Sequence, residues 1–229
     1  MEQGGRCDVT PLGSRWMNPL CCIFLAILLL AASGCQRYDR PDLRQELLVM
    51  LEEDQRIRQE HLVVMTTATP PHEVFVPREE LGEANQELFE QMKALDEAHT
   101  ARMKEIVDQY GWPGYSLVGE DGSDAAWVLI QHSDDLSFQK RCLELLTKAA
   151  DQDEADWRHV AYLTDRVLVA QGKAQIYGTQ FRPEQGRMVP FPIQDEEEVD
   201  VRRKSLGLSP LEEYSWQMNQ HLESTAPEE

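Results

Sequence analysis

The side chains best suited to chemistry lie around a histidine in the middle of the chain. His132 follows the uninterrupted apolar run 125–130, and a run without a polar face is buried on all sides. We therefore expect His132 and Gln131 to be carried into or beside the core. A histidine can act as a general base near neutral pH when a carboxylate fixes its tautomer. In this hypothesis Asp165 supplies the carboxylate, and Arg166 binds a carboxylate or phosphate group.

Further polar residues could hold a ligand without chemistry. Gln131 and Gln180 could bind an amide or a sugar, and Tyr177 offers an aromatic face and a hydroxyl. Asp54 and Arg58 fall on the apolar stripe of the first predicted helix. They form either an ion pair at the rim of that helix or a polar set that points inward and needs partners. The alternative for the whole group is a buried polar network that only fixes helix packing.

No catalytic motif separates these possibilities. The chain has no Gly-x-Ser-x-Gly, no His-Glu-x-x-His and no phosphate loop. Asp96 and His99, three residues apart, lack a third metal ligand at matching spacing, so we favour a hydrogen-bonded pair and predict neither metal nor cofactor. Cys142 lies on an apolar helix face and is expected in the core. The sequence favours a binding or structural module, with a hydrolase that uses His132 as its base as the alternative.

The elements that must position these residues are mostly helices. Apolar residues at helical spacing, with glycine and proline between the segments, predict seven helices. Five of them are expected at 41–65, 78–110, 157–170, 195–206 and 210–222. The other two are expected to begin at a capping residue: one runs from Ser123 or Asp124 to about 132, and the next from Ser133 or Asp134 to 149. Alternating aromatic and β-branched residues predict a hairpin with arms 175–181 and 188–193. We therefore predict a mainly α-helical, bundle-like single domain over 42–222 with a small β-hairpin, and a disordered tail at 223–229.

The N-terminus resembles the signal peptide of a bacterial lipoprotein. Two arginines precede the apolar run 20–32, which is shorter than the roughly 17–25 residues of a membrane-spanning helix. In Ala32-Ser33-Gly34-Cys35 a cysteine follows small residues, as in a lipobox. The resemblance implies that residues 1–34 are removed, that Cys35 carries lipid such as palmitate, and that 35–41 form a tether. Two or more acyl chains would make the anchor stable.

The formal net charge of −19 narrows the choice of partners. Nucleic acid and anionic membrane surfaces attract Lys and Arg, so we exclude nucleic acid and expect the lipid alone to bind the membrane. A small ligand or another envelope protein remains as a partner. Gln36 is not the aspartate that signals inner-membrane retention. We therefore expect the protein in the bacterial cell envelope, at the outer membrane where the organism has one.

Four short segments resemble a bacterial domain family of unknown function. They are Gly111-Trp112-Pro113, 125–134, 162–166 and 175–180. The resemblance extends from residue 43 to residue 214. It implies a mostly helical fold and, because several members are lipoproteins, it agrees with the lipobox. It implies no activity.

Overall fold

The computed structural model of the protein describes residues 38–68 and 83–224, with side chains for 38–60 and 86–220. The predicted signal peptide, Cys35 and the end of the predicted tail lie outside these residues, as does most of the loop expected between the first two helices. Within the part that is described, no helix is long and apolar enough to cross a membrane.

Most of the described chain is helical, which confirms the mainly α-helical prediction. The helices are α1 (Pro41–Ala68), α2 (Glu83–Tyr110), α3 (Tyr115–Gln131), α4 (Leu136–Ala150), α5 (Trp157–Ala170), α6 (Val199–Ser205) and α7 (Leu211–Ser224), with a 3-10 turn at Glu196–Glu198 before α6. The predicted small hairpin is also present. Its antiparallel strands are β1 (Phe181–Glu184) and β2 (Arg187–Pro190).

The core lies where α1, α2 and α3 pack together, and it continues between α4 and α5. Each helix contributes an apolar stripe, and removal of these stripes from water is the main stabilising effect. The buried members of the stripes include Leu43, Leu47, Met103, Ile106, Ala125, Leu129, Ile130, Leu146, Val160 and Leu163. Cys142 is fully buried among them, as predicted. Burial raises the pKa of its thiol to about 12, which makes the group unreactive at neutral pH.

Helix α3 begins before the predicted caps. Gly119 has a φ of +79° and a ψ of 169°, so a kink at this residue divides α3 into a first turn and a longer helical segment that contains Ser123 and Asp124. Glycine favours such a φ, and the Tyr38 ring lies 2.6 Å from where a Cβ would be placed. Glycine is therefore required twice, by the backbone and by the neighbouring ring. Ser123 and Asp124 lie inside α3, so the prediction that either residue caps this helix is wrong.

Helix α4 is capped by Asp135, one residue after the predicted cap Asp134 and two after the alternative, Ser133. Asp135 Oδ1 accepts a hydrogen bond of 3.0 Å from the Phe138 amide and so satisfies a free amide of the first turn. Ser133 and Asp134 precede this cap. Ser133 Oγ instead accepts a hydrogen bond of 3.2 Å from the Asp135 amide.

The described end of the predicted tether is packed against α3. The amide of Asp39 donates to Ser116 O at 3.1 Å, and the amide of Arg40 donates to Leu117 O at 2.9 Å. Residues 38–40 therefore belong to the folded domain.

The hairpin is shorter than predicted and begins later. Residues 175–180, expected in the first arm, form a loop. Gln185 and Gly186 form the turn with φ values of 52° and 75°, and positive φ at both positions is typical of two-residue hairpin turns. The loop leaves strand geometry because three of its amides bind the carboxylate of Asp165.

Candidate functional site

Asp54 is the centre of a polar cluster where α1, α2 and the end of α3 meet. Its side chain is fully buried. Oδ1 accepts a hydrogen bond from Arg58 Nε at 3.1 Å and lies 2.9 Å from His132 Nδ1. Oδ2 accepts a hydrogen bond from Gln55 Nε2 at 2.8 Å. Both alternatives for Asp54 and Arg58 are represented: the two residues form an i,i+4 ion pair, and Asp54 also points inward to further partners.

Arg58 joins this carboxylate to a second one on α2. Its Nη2 donates to Asp96 Oδ1 at 2.5 Å, and its Nη1 lies 3.4 Å from Met92 Sδ. The guanidinium is therefore held between two carboxylates. The expected hydrogen bond between Asp96 and His99 is not observed. His99 Nε2 lies instead 3.6 Å from Glu53 Oε2 on α1.

The two carboxyl groups of the cluster titrate differently. Burial raises the pKa of Asp54, but hydrogen bonds from His132 and Arg58 outweigh burial and lower the pKa to about 2. For Asp96 burial is the largest effect and raises the pKa, although the charge of Arg58 opposes it. At neutral pH Asp54 is therefore ionised and can only accept hydrogen bonds.

His132 follows α3 and presents one ring nitrogen to Asp54. Because the ionised carboxylate only accepts, Nδ1 carries the proton that joins the two residues. In the neutral ring, Nε2 then has a free lone pair. The side chain is 26 % exposed, so the ring is not sealed within the core. This is the arrangement in which a carboxylate fixes the tautomer of a general base.

Arg166 of α5 reaches the same end of α3. Its Nε donates to Oε1 of Gln131, a residue that is 6 % exposed. Burial lowers the pKa of Arg166, and the positive charge of Arg58 lowers it further. Arg166 and Gln131 therefore join the neighbourhood of Asp54 and His132.

Three of the side-chain pairs between α3 and α5 define how the two helices are aligned. The pairs are Asp124–His159, with Oδ1 and Nδ1 3.8 Å apart, Trp127–Tyr162, with ring centroids 5.8 Å apart, and Gln131–Arg166. Successive pairs are three or four residues apart on both helices, so one face of each helix meets the other and the two run in the same direction. Beside Trp127 and Tyr162 opens a cavity of about 370 Å³.

The cluster is an ion-pair network and not a built metal centre. Ligand atoms of Asp54, Asp96 and His132 lie within 4.8 Å of one another, which three ligands of one ion can also do. The guanidinium of Arg58, however, donates to both carboxylates. A cation therefore already occupies the position between them, and a metal ion would have to displace it.

Asp165, the carboxylate expected beside His132, belongs to a second network. It is fully buried. Its oxygens accept hydrogen bonds from the amides of Ile176 at 2.7 Å, Tyr177 at 3.0 Å and Thr179 at 2.9 Å, and from the Thr179 hydroxyl at 2.9 Å. No hydrogen bond joins it to His132 in the described part of the chain. The expected pairing of His132 with Asp165 is therefore wrong. The carboxylate that is hydrogen-bonded to His132 is Asp54 of α1.

Tyr177 and Gln180 also lie in this second network. The carbonyl of Tyr177 accepts a hydrogen bond of 2.7 Å from Arg203 Nη1, and the amide of Gln180 donates to Gln175 Oε1 at 2.9 Å. The structure therefore divides the residues proposed for ligand binding. It brings Asp54, Arg58 and Gln131 to the histidine, and it places Tyr177 and Gln180 with Asp165.

Several members of the two networks were not predicted as site residues, among them Asp96, which the sequence paired only with His99, and Arg203. Asp96 belongs to the first, and its signal is that a charged residue stands near the apolar seam of α2, as Asp54 and Arg58 do on α1. Arg203 belongs to the second. It is 1 % exposed, but within the basic run 202–204 nothing in the sequence distinguishes the buried arginine from Arg202 and Lys204.

The fold and the cluster define a mainly helical domain with a buried Asp–His–Arg network at a junction of three helices. Residues 41–223 match a family of unknown function (DUF6624), and the chain belongs to this family. The match contains both networks. Comparisons with curated proteins and with solved structures found no match.

Proposed function

We propose that this protein is a hydrolase in which His132 is the general base. The observation that carries the proposal is the hydrogen bond between His132 Nδ1 and the buried, ionised carboxylate of Asp54. Asp54 takes the positioning role for which the sequence suggested Asp165. Arg166 keeps its suggested role of binding the substrate.

The proposed reaction uses the free nitrogen of the histidine ring. Nε2 removes a proton from a water molecule, and the water oxygen forms a bond to an electrophilic carbon or phosphorus of the substrate. The bond to the leaving group breaks, and the leaving group takes the proton from Nε2. Asp54 remains ionised throughout and stabilises the imidazolium that exists between the two steps.

The contacts around Asp54 support this role. An ionised carboxylate is costly to bury without partners, and Arg58 and Gln55 supply two partners that do not depend on the protonation state of the histidine. The carboxylate therefore keeps its charge and position whether His132 is neutral or protonated. A general base needs such a fixed partner when its own charge changes during turnover.

A substrate panel tests the proposal. The purified full-length protein is assayed against p-nitrophenyl esters, phosphates, phosphodiesters and glycosides, with and without a chelator. We expect turnover of at least one class, a loss of ~100-fold or more in His132→Ala, and no effect of the chelator. His159→Ala is the matched control, because this histidine lies outside the cluster on α5.

Imidazole nitrogen NMR supplies a test that needs no substrate. We expect a proton on Nδ1 and a bare Nε2 for His132, and loss of this tautomer preference in Asp54→Asn. A proton on Nε2 in the wild type, or full activity in His132→Ala, would contradict the proposal.

A packing network without chemistry is the second candidate, and the bridge from Arg58 to both carboxylates favours it. In that case His132→Ala destabilises the fold by ~1–3 kcal/mol and no substrate of the panel is hydrolysed. A partner-binding module gives the same negative panel and is then the function to pursue.

We also propose that lipid on Cys35 anchors the protein in the bacterial cell envelope. The support is the apolar run 20–32 followed by small residues and a cysteine. Labelled palmitate should enter the wild-type protein and not the Cys35→Ser variant. An unlabelled wild-type protein would refute the anchor and leave the hydrolase proposal untouched.

A further inference from the structure

We propose that Arg166 and Gln131 form a recognition site for an oxyanion, either a carboxylate or a phosphate. The identification of this anion as part of the substrate rests on the function proposed above, whereas the binding site itself does not. The geometry brings two hydrogen-bond donors to the same end of α3 as His132, and neither donor is paired with a carboxylate among the described residues.

The first step of the argument is the charge distribution in the cluster. Asp54 and Asp96 share Arg58, and Asp54 is also bonded to His132. Arg166 has no carboxylate partner among the described residues; its hydrogen bond goes to the neutral amide of Gln131. A half-buried guanidinium next to a second guanidinium is costly to keep without an anion.

The second step concerns the orientation of the Gln131 amide. An arginine has donors and no acceptor, so the atom that faces Arg166 Nε must be the oxygen Oε1. The NH2 group of the same amide is thereby fixed on the other side. Gln131 is 6 % exposed, and its Nε2 has no hydrogen-bond partner among the described residues. A buried donor without an acceptor destabilises the fold, so an acceptor is the missing component.

The third step concerns the backbone at this end of α3. The C-terminus of a helix carries partial negative charge on its free carbonyls and disfavours anions. Here the side-chain amide of Gln139 donates to Ser133 O at 2.9 Å, to Ile130 O at 3.2 Å and to Gln131 O at 3.4 Å. These carbonyls are therefore engaged within the fold and are not left free to repel an anion.

The combination of donors selects the chemistry of the ligand. Arg166 uses Nε for Gln131, so its terminal NH2 groups remain for a second partner. An oxyanion can accept from a guanidinium and from an amide NH2 at once. An apolar ligand would leave both donors unpaired, and a metal cation would be repelled by Arg166 and Arg58.

Anion binding is tested directly with two probes. Inorganic phosphate and acetate are titrated separately into the full-length protein at constant ionic strength, and the side-chain NH signals of Arg166 and Gln131 are followed by NMR. We expect saturable shifts at both side chains. Tighter binding of phosphate assigns the anion as a phosphate group, and tighter binding of acetate assigns it as a carboxylate.

Three variants make the test specific. Arg166→Met and Gln131→Leu should each weaken anion binding at least tenfold, which is about 1.4 kcal/mol. Arg141→Met is the matched control, because this arginine on α4 is exposed and paired with Asp108. If Arg141→Met weakens binding equally, or if neither anion shifts the wild-type signals, the recognition site is refuted.

A fourth variant separates this inference from the hydrolase proposal. His132→Ala lacks the base and should still bind the anion within twofold of wild type. Binding without hydrolysis in the wild type would refute the hydrolase and retain the site. Hydrolysis of a substrate without any NMR shift at Arg166 and Gln131 would retain the hydrolase and refute the anion site.

Discussion

Asp54 and Asp165 are both fully buried carboxylates, and they are held in opposite ways. Asp165 is bonded to backbone amides and a hydroxyl of one loop, 175–180. Asp54 is bonded to side chains, and one of them is a histidine. Backbone donors cannot change charge or leave without unfolding the loop. Side-chain donors can do both, so chemistry is expected at Asp54 and structural support at Asp165.

The buried Arg203 and the half-buried Arg166 repeat this difference. Burial lowers the pKa of both Arg203 and Arg166. Arg203 donates to the carbonyls of Ser209 at 2.6 Å and Tyr177 at 2.7 Å, whereas Arg166 donates to one side-chain amide. A buried charge that is fully used by the fold stabilises the fold. A charge with unused donors, as at Arg166, is where we propose that an anion binds.

The largest expected effect is at Asp165. Replacement by alanine leaves three amides and a hydroxyl without their acceptor, so we expect a loss of ~3 kcal/mol or more in the free energy of unfolding. Thr179→Val is the graded control, because it removes the hydroxyl bond and should cost ~1 kcal/mol. Urea denaturation measures both. A smaller loss at Asp165 than at Thr179 would contradict the structural role of the carboxylate.

The arginine comparison gives the next largest effect. Arg203→Met leaves two backbone carbonyls unsatisfied and should destabilise the protein by ~2 kcal/mol or more. Arg166→Met removes one hydrogen bond and also a like charge beside Arg58, so its effect should stay within ~1 kcal/mol. Equal losses in the two variants, measured by the same denaturation, would erase the distinction between the networks.

Acid should weaken the Asp54 cluster in a defined pH window. The pKa of Asp54 is about 2 in the folded protein and 3.8 without the fold. Because the folded value is the lower one, the contribution is complete above pH ~4 and is lost as the pH falls towards ~2, with a total of roughly 2 kcal/mol. The free energy of unfolding, measured across this pH range, should lose this pH-dependent contribution in Asp54→Asn. The exposed neighbour Glu52→Gln should retain it.

The smallest effect on stability is expected at His132. Its replacement by alanine leaves Asp54 bonded to Arg58 and Gln55, so the free energy of unfolding should change by ~1 kcal/mol or less. Thermal and urea denaturation of His132→Ala measure this change. A loss of ~3 kcal/mol would make the histidine part of the structural network and would remove the contrast with Asp165.

The local pattern predicted much of the secondary structure. Helical periodicity and the breaking residues placed the helices, because the spacing of apolar residues is imposed by the helix itself. Sequence reasoning failed at the start of α3, where helical structure begins at Tyr115 and is kinked at Gly119 before it reaches the predicted caps. It also failed in residues 175–180, whose strand-like pattern was overridden by hydrogen bonds to Asp165.

The sequence by itself determined that His132 would lie beside the core and that Asp54 and Arg58 would stand on an apolar stripe. These properties follow from periodicity along one chain segment. The pairing of His132 with Asp54, the bridge to Asp96 and the separation of Asp165 were decided by the tertiary structure. Hydrogen-bond partners 78 residues apart depend on how helices cross and on which carboxylates are already occupied by amides. Spacing within a segment does not encode either property.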